Sequence, residues 1–412
     1  MYQDFISITE WISLKDNIYI LINSLSGGGA ERQVSLLSKK IGISKIILLN
    51  NVVMYETEIS RDILSNLKPS RSITETFKIP FYVFKLLKLL KNKNKPKIII
   101  SFLVRSNLIN IIVGKILGYK VIISERNTPS QIYKNGLSYY YGNLIKYCYP
   151  FADKIIVNSY GIQSDLVKNY DINIEKIEVI HNAIDIQRID SLKIESIEDR
   201  FKTFFDENDI LINVGSLTKQ KGQIYLVKIL NKLKIEGKKY KLVIIGSGHL
   251  KNNLIKAAVD LKLNVYDSTL DHGFVKNKID ILFLNYQDNP YKYINLSKIF
   301  LFPSLWEGFP NVLLEAMACK KPIISSDCMS GPKEILTSNF GDLWGVNFAK
   351  FAEFGILLPL PKNETVDLWV QVINTLFNDD VMMRGYSKLG YKRVYSFDKA
   401  KIAKQWIDMI NE

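Results

Sequence analysis

The sequence predicts an α/β protein of two Rossmann-like lobes whose parallel sheets face a central cleft. Three observations predict it. The chain has 412 residues, more than one core ordinarily holds and suited to two lobes of roughly 200. Apolar strand-like runs alternate with helical patterns from end to end, the mark of parallel α/β units. The alternation fades once, over residues 184–208, which are charged and show no clear strand.

In the first half, strand-like runs fall at 18–22, 45–49, 98–102, 121–124, 155–157 and 177–180, with helical stretches between them such as 30–40 and 160–169. A second series follows at 210–214, 242–245, 281–284, 299–302 and 322–325, with helices at 223–236, 250–261, 311–318 and 333–337. Helical segments at 366–377, 381–394 and 398–410 close the chain. The expected division is an N-terminal lobe over 1–190, a linker over 191–208 and a C-terminal lobe over 209–395. A final helix over 396–412 is expected to return to the first lobe. In open parallel sheets, ligands bind outside the carboxyl ends of the strands, so the loops that follow strands are where function is expected.

Composition narrows the classes. Hydrophobic residues make up 47% and charged residues 23%, a globular balance. The cysteines are Cys148, Cys319 and Cys328, an odd set that matches neither a disulfide framework nor a zinc knuckle, so a reducing cytosolic compartment is expected. His181, His249 and His272 are scattered, and no structural zinc site is expected. Residues 1–17 carry acids early and no basic run, unlike a signal peptide. The most apolar stretch, 98–123, is broken by Arg105, Asn107, Asn110, Lys115 and Lys120, and reads as a strand and helix rather than a membrane span.

The formal net charge is +14, which attracts anions: nucleic acid, lipid headgroups or diphosphates. No aromatic–basic nucleic-acid motif is present, so no nucleic-acid partner is expected. Residues 81–95 mix bulky apolar side chains with lysines at helical spacing. Such a helix can lie in a membrane interface with its lysines near anionic headgroups. A helix docked on its own sheet explains the pattern equally well.

Three loops carry candidate chemistry. Ser26-Gly27-Gly28-Gly29-Ala30-Glu31-Arg32 follows the first strand and opens a helix. Its glycines admit close backbone approach, and the helix start offers N–H groups to a phosphate or hydroxyl. A dinucleotide fingerprint fails here, because Arg32 stands where the third glycine belongs. A tight strand–helix turn is the plain alternative. The second loop is Val214-Gly215-Ser216-Leu217-Thr218-Lys219-Gln220-Lys221-Gly222. A lysine beside a glycine at a helix start can hold a departing diphosphate. It lacks the Walker A pattern, and a solvated Lys-rich turn is the alternative.

The third loop is the most informative. In Glu307-Gly308-Phe309-Pro310-Asn311-Val312-Leu313-Leu314-Glu315 two glutamates flank seven residues. Pro310 suits a first helical turn, Glu307 then sits at the mouth of the turn, and Glu315 is expected about two turns into the helix. The amides of Gly308, Phe309, Pro310's neighbour Asn311 and the helix start are expected to face sugar oxygens and phosphate. A carboxylate such as Glu315 can accept two hydrogen bonds from a vicinal diol like that of ribose. Two surface glutamates favoured by a helix dipole are the alternative.

Taken together, these loops resemble glycosyltransferase family 4, with its two-lobed GT-B fold. The resemblance covers nearly the whole chain. It runs through 122–127 (IISERN), 179–185 (VIHNAID), 243–248 (VIIGSG), 289–293 (NPYKY), 322–327 (PIISSD), 331–334 (GPKE) and 353–359 (EFGILLP) as well as the three loops. It implies that Lys221 binds the donor diphosphate, Glu315 the ribose hydroxyls, and that Glu307 stands by the donor sugar. Gly215 and Ser216 would line the donor site, while Gly28 and Gly29 would lie against the diphosphate. It also implies retention of anomeric configuration, with the departing phosphate helping to deprotonate the incoming hydroxyl. Two departures stand out. The family usually has arginine where this chain has Ser216, so a second cation must come from elsewhere, with Arg126 and Lys219 as candidates. Many relatives carry histidine where this chain has Arg126; arginine cannot serve as a base near neutral pH but can bind a phosphate or the acceptor bidentately.

The resemblance further implies a nucleotide-diphospho-sugar donor, UDP-linked by default and carrying a hexose or N-acetylhexosamine. The expected acceptor is a polyprenyl-diphosphate-linked glycan in O-antigen, capsule or exopolysaccharide synthesis. The expected location is the cytoplasm, peripheral on the inner face of the cell membrane. No cofactor is expected, and no metal, since no Asp-x-Asp occurs. Three readings stay open at this point: that transferase, an epimerase or soluble-acceptor enzyme on the same fold, and a non-catalytic sugar binder.

Overall fold

Runs of Ile, Leu and Val, buried on both faces, build two parallel sheets in this computed structural model, which describes residues 17–67, 77–91, 95–134, 137–270, 278–338 and 345–412. Residues 1–17 (all but Asn17), His272 and positions 92–94 of the lysine-rich segment lie outside the described residues.

The chain divides into two units, the first comprising Met1–Ala183 with Lys399–Glu412, the second Ile184–Asp398. In the first, β1 (Ile18–Ile22), β2 (Lys45–Asn50), β3 (Arg61–Ser65), β4 (Ile98–Phe102), β5 (Lys120–Glu125), β6 (Lys154–Val157) and β7 (Ile177–Val179) form one sheet. Its order is β3-β2-β1-β4-β5-β6-β7, parallel throughout. This is the doubly wound arrangement, and its order reverses between β1 and β4.

Helices cover both faces. On one face lie α2 (Ile79–Lys91), α3 (Val104–Leu117), α4 (Leu137–Cys148) and α5 (Tyr160–Tyr170), packed on Leu21, Ile99, Val121 and Ile155. The opposite face, with Ile20, Ile100 and Ile122, packs against α1 (Gly29–Leu37) and the chain's last helix, whose Trp406 is fully buried beside Phe102. The ends are set by local chemistry. Ser159 Oγ accepts from the Ile162 amide at the start of α5, and Gly118 closes α3 at φ 74°.

The second unit begins with α6 (Ile186–Leu192) and α7 (Asp199–Glu207). Then come β8 (Ile210–Val214), α8 (Gln223–Ile235), β9 (Lys241–Ile245), α9 (Lys251–Asp260), β10 (Val265–Asp267), β11 (Ile281–Leu284), α10 (Tyr291–Leu296) and β12 (Ile299–Phe302). They are followed by α11 (Asn311–Ala318), β13 (Ile323–Ser326), α12 (Pro332–Leu336), β14 (Lys350–Phe351), β15 (Ile356–Leu358), α13 (Val366–Phe377) and α14 (Asp380–Val394). The sheet order is β10-β11-β9-β8-β12-β13-β15-β14, and among the described residues only β14 runs antiparallel to its neighbour. Here the order reverses between β8 and β12. The last helix, α15 (Lys399–Asn411), belongs to the first unit.

Three expectations are corrected. The first unit ends at Ala183, not 190. Residues 191–208 are no linker: Phe201, Phe204 and Phe205 of α7 are buried in the second unit's core, and charge on the outer face of α7 masked this inner stripe. Strand β3 was not foreseen, because its pattern is polar and it lies at a sheet edge, where burial is partial.

Candidate functional site

In the second unit, the loops after β8 and β12 emerge side by side at the point where strand order reverses. That is where an open α/β sheet leaves a crevice at its carboxyl edge. The first loop turns through Thr218 to Gly222 and the second runs from Pro303 to Pro310. Gln220 ties them: its Nε2 donates to the Trp306 carbonyl at 2.9 Å, and its carbonyl accepts from the Leu305 amide at 2.8 Å. Gly222 is required for this approach. It has φ 65°, and a Cβ there would stand 2.2 Å from the Pro303 carbonyl oxygen.

The pinning brings two candidate residues into contact. Lys221 Nζ lies 2.7 Å from Glu307 Oε1, with the ammonium 5.7 Å from the Phe302 ring centroid. The Lys221 side chain is 21% exposed and that of Glu307 8%, so a partly desolvated cation remains open at one side. Such a charge acts strongly on a nearby phosphate, because little water screens it. Gly215 adjoins the same lysine: a Cβ on it would meet Lys221 Cδ at 3.8 Å. The Ser216 carbonyl accepts from Gln223 Nε2, and its side chain is exposed.

Glu315 is buried within α11, the fifth residue of the helix, so it stands a little over one turn in rather than two. Pro310 occupies the N-cap with φ −77° and ψ 102°, one residue before the first helical turn in which it was expected. The extended ψ follows from the tight path of the loop. The Ser330 hydroxyl donates to the Gly308 carbonyl at 2.6 Å, and Gly331, at φ 90°, sits where a Cβ would meet Pro310 Cδ at 2.5 Å. The Phe309 ring turns into the core, 5.5 Å from that of Phe397, so Phe309 and its neighbours Gly308 and Asn311 can serve a ligand through their backbone.

Sequence reasoning missed the next shell. Lys333 and Asp327 form a buried pair, with Nζ 3.5 Å from Oδ2, and the Gly345 amide donates to the same oxygen. Burial pushes the Asp327 carboxyl up from its ordinary value despite Lys333. The Cys328 thiol is also pushed up, by burial first and then by the charges of Glu307 and Asp327, against that of Lys221. The run Ser-Asp-Cys with Gly-Pro-Lys-Glu downstream was visible, but nothing in it announces an ion pair.

In the first unit, the loops after β1 and β4 likewise flank the reversal of strand order. Gly28 is the N-cap of α1 and Gly29 its first residue. Ser106 Oγ, in the first turn of α3, donates to Asn23 Oδ1 at 2.8 Å and so ties the loop after β1 to the helix that follows β4. Leu103, between β4 and α3, has φ 75°, a position that costs a β-substituted residue about 1–3 kcal/mol. It is held by hydrogen bonds from its amide to the Ser124 carbonyl and from the Asn107 amide to its own carbonyl.

Arg126, expected to bind phosphate or acceptor, is buried at the end of β5. Its guanidinium donates to Asn182 Oδ1 at 2.8 Å and to Ser124 Oγ at 3.3 Å, and stands 5.5 Å over the Phe102 ring. Burial lowers its pKa to about 10. These contacts tie the end of β5 to the segment after β7. Lys219, the other candidate second cation, is exposed. Beside Arg126, Glu125 is wholly buried; burial raises its carboxyl to about 7, against hydrogen bonds from Tyr149 Oη at 2.6 Å and the Arg126 and Asn127 amides. Among the described residues, no group of three or more His, Cys, Asp or Glu gathers as a metal centre requires.

Two doubly wound units, with a Lys-Gly turn and a Glu-x7-Glu helix start meeting at the second switch point, define a glycosyltransferase of the GT-B fold. Comparison with known proteins agrees. Residues 195–350 match the family model for glycosyl transferases group 1, and residues 58–188 that for glycosyltransferase family 4. An N-acetylgalactosamine-N,N'-diacetylbacillosaminyl-diphospho-undecaprenol 4-alpha-N-acetylgalactosaminyltransferase of Campylobacter jejuni is 34% identical over 93% of this chain and 96% of its own length. A GalNAc-alpha-(1->4)-GalNAc-alpha-(1->3)-diNAcBac-PP-undecaprenol alpha-1,4-N-acetyl-D-galactosaminyltransferase of the same organism is 23% identical over 96% and 98%. In structure, the chain superposes on HepE of Anabaena, solved with UDP, with a TM-score of 0.73 at 17% identity, covering 96% and 99% of the two chains. The chain belongs to glycosyltransferase family 4 and is an enzyme that transfers glycosyl groups.

Proposed function

We propose that the enzyme moves a hexose or N-acetylhexosamine from a UDP-linked donor to a polyprenyl-diphosphate-linked glycan, with retention of configuration and without a metal ion. The Lys221–Glu307 contact at 2.7 Å, beneath the start of α11, carries the reading. An ammonium held there by a carboxylate neutralises charge that grows on a departing diphosphate. Glu315, one turn further on, accepts hydrogen bonds from the ribose diol. The bond from the sugar's anomeric carbon to the diphosphate oxygen breaks as the acceptor oxygen bonds to that carbon on the same face. The acceptor's proton passes to the departing phosphate. The HepE complex with UDP supports a uridine donor, and the two Campylobacter relatives, both named for diphospho-undecaprenol acceptors, support the lipid-linked acceptor. On this reading the enzyme acts in surface-glycan synthesis, peripheral on the inner face of the cell membrane.

The test is nucleoside diphosphate release from a panel of donors with undecaprenyl-diphosphate-linked glycan, followed by NMR of the product's anomeric proton. Inverted product refutes retention, and loss of turnover in EDTA refutes metal independence. Lys221→Met should lower kcat by roughly 10²–10³, the cost of one charge-stabilising donor. Unchanged turnover would remove the central observation.

A further inference from the structure

We infer that the buried pair Asp327–Lys333 is a latch: it sets the shape of the turn between its two members and, through that turn, the position of the Gly308–Pro310 loop. For its purpose this rests on the donor reading of that loop given above.

Residues 307–310 are buried, and the turn after β13 lies directly against them. Ser330 Oγ donates to the Gly308 carbonyl at 2.6 Å. The backbone of Gly331 comes so near that a Cβ there would stand 2.5 Å from Pro310 Cδ, 2.9 Å from the Gly308 carbonyl oxygen and 3.1 Å from Phe309 Cα. In a close-packed interior, a shift of the turn is passed on to the loop.

The turn does not hold its shape by local preference. Ser330 has φ 72° and Gly331 φ 90°, two successive residues in the left-handed region, and Ser330 carries a Cβ there. Such a backbone persists only where its surroundings over-determine it. At one end the Asp327 amide donates to the Leu358 carbonyl at 2.7 Å, which fixes it to β15. At the other, Arg393 of α14 donates to the Glu334 and Ile335 carbonyls at 2.9 and 3.3 Å, which fixes α12. The ion pair then ties the two ends across the turn, with the Asp327 side chain wholly buried and that of Lys333 7% exposed. A pair so deeply buried adds little to stability, because desolvation offsets most of the attraction. What it fixes is geometry, since neither charge can turn to water. Asp327 and Lys333 are therefore positioning residues for the donor loop.

The experiment removes both charges together from the full-length protein, as Asp327→Asn/Lys333→Met. Removing one alone would strand the other in the core, whereas the neutral pair should melt within a few degrees of wild type. Hydrogen exchange read by mass spectrometry should speed at least about tenfold over residues 304–312 and stay unchanged over β8 and β9. The Kd for UDP should rise about tenfold, while that for uridine, held by Glu315 on this reading, should not move. In turnover, kcat should fall roughly 10–100-fold, the cost of misplacing a positioning group by about 1 Å. Ser330→Ala removes only the hydroxyl on Gly308 and should give the same pattern, so it carries the test if the double variant melts early. Added to the double variant, it should change kcat by less than about twofold further, because both act along one path. Unchanged exchange over 304–312 overturns the inference. So does exchange that rises equally through the whole unit with UDP and uridine weakened alike, or full multiplication of the two effects on kcat. Exchange does not depend on any donor: if it speeds over 304–312 while UDP affinity holds, the latch stands and the donor reading of the loop fails.

Discussion

At Glu125 a single carboxyl couples the first unit's stability to pH. Burial lifts it from its ordinary 4.5 to about 7. Between those values the folded chain keeps a proton that the unfolded chain has released, so stability falls as pH rises through that window. The full difference is on the order of 3 kcal/mol. Glutamine reproduces the protonated form, with one oxygen accepting from the Arg126 and Asn127 amides and an N–H directed at Tyr149 Oη. Glu125→Gln should therefore flatten the decline of unfolding free energy between pH 5 and 8, measured by chemical denaturation (the window is that of about 4.5 to 7 plus its upper tail). A parallel decline in both proteins would assign the pH dependence elsewhere. The same residue shows what a sequence hides. The meeting of Lys221 with Glu307 was legible, because each lies in a loop that leaves the carboxyl end of a strand and the two strands are neighbours. Glu125 and Arg126 sit in a short polar run that reads as an exposed loop, and only the packing of Tyr149 and Phe102 over them makes them buried. The Asp327–Lys333 pair was hidden for a related reason, since it joins the end of one strand to a short helix across a turn held by Ser330.

At the scale of elements, long apolar runs were read well and amphipathic helices less so. The five central strands of the first sheet and β8, β11 and β12 of the second announce themselves as runs of Ile, Leu and Phe, because both of their faces are covered. Helix α7 hides among Asp, Glu, Lys and Arg, its apolar content confined to Phe201, Phe204 and Phe205. Those rings meet Tyr266 and Tyr293 and belong to the second unit's core. Phe204→Ala should cost about 3–5 kcal/mol of that unit's stability, whereas exposed Lys202→Ala should change it by less than about 0.5 kcal/mol. Thermal melts of the two variants check this, and a negligible effect of Phe204→Ala would restore the linker reading of residues 191–208.

At the scale of the whole molecule, the chain passes between units twice, at 183/184 and at 398/399, and the second unit's ends at these points lie together. Ile184 donates its amide to the Phe397 carbonyl at 2.9 Å and forms a parallel bridge with Asp398. The last fourteen residues then complete the first unit. Ile402, Ala403, Trp406, Met409 and Ile410 are buried in a core shared with Ile20, Ile100 and Phe102, and no residue of the second unit's clusters belongs to it. A segment distant in sequence therefore closes the face of a sheet laid down by the first strands, which makes folding of the first unit depend on the chain's end. Trp406→Ala removes the largest side chain of that contact and should cost the first unit about 3–5 kcal/mol. Hydrogen exchange read by mass spectrometry separates the units: amides of β1 and β4 should lose protection while those of β8 and β12 keep it. Protection lost equally in both sheets would mean that α15 supports the molecule as one cooperative body, and the division at Ala183 and Asp398 would not be a division in stability.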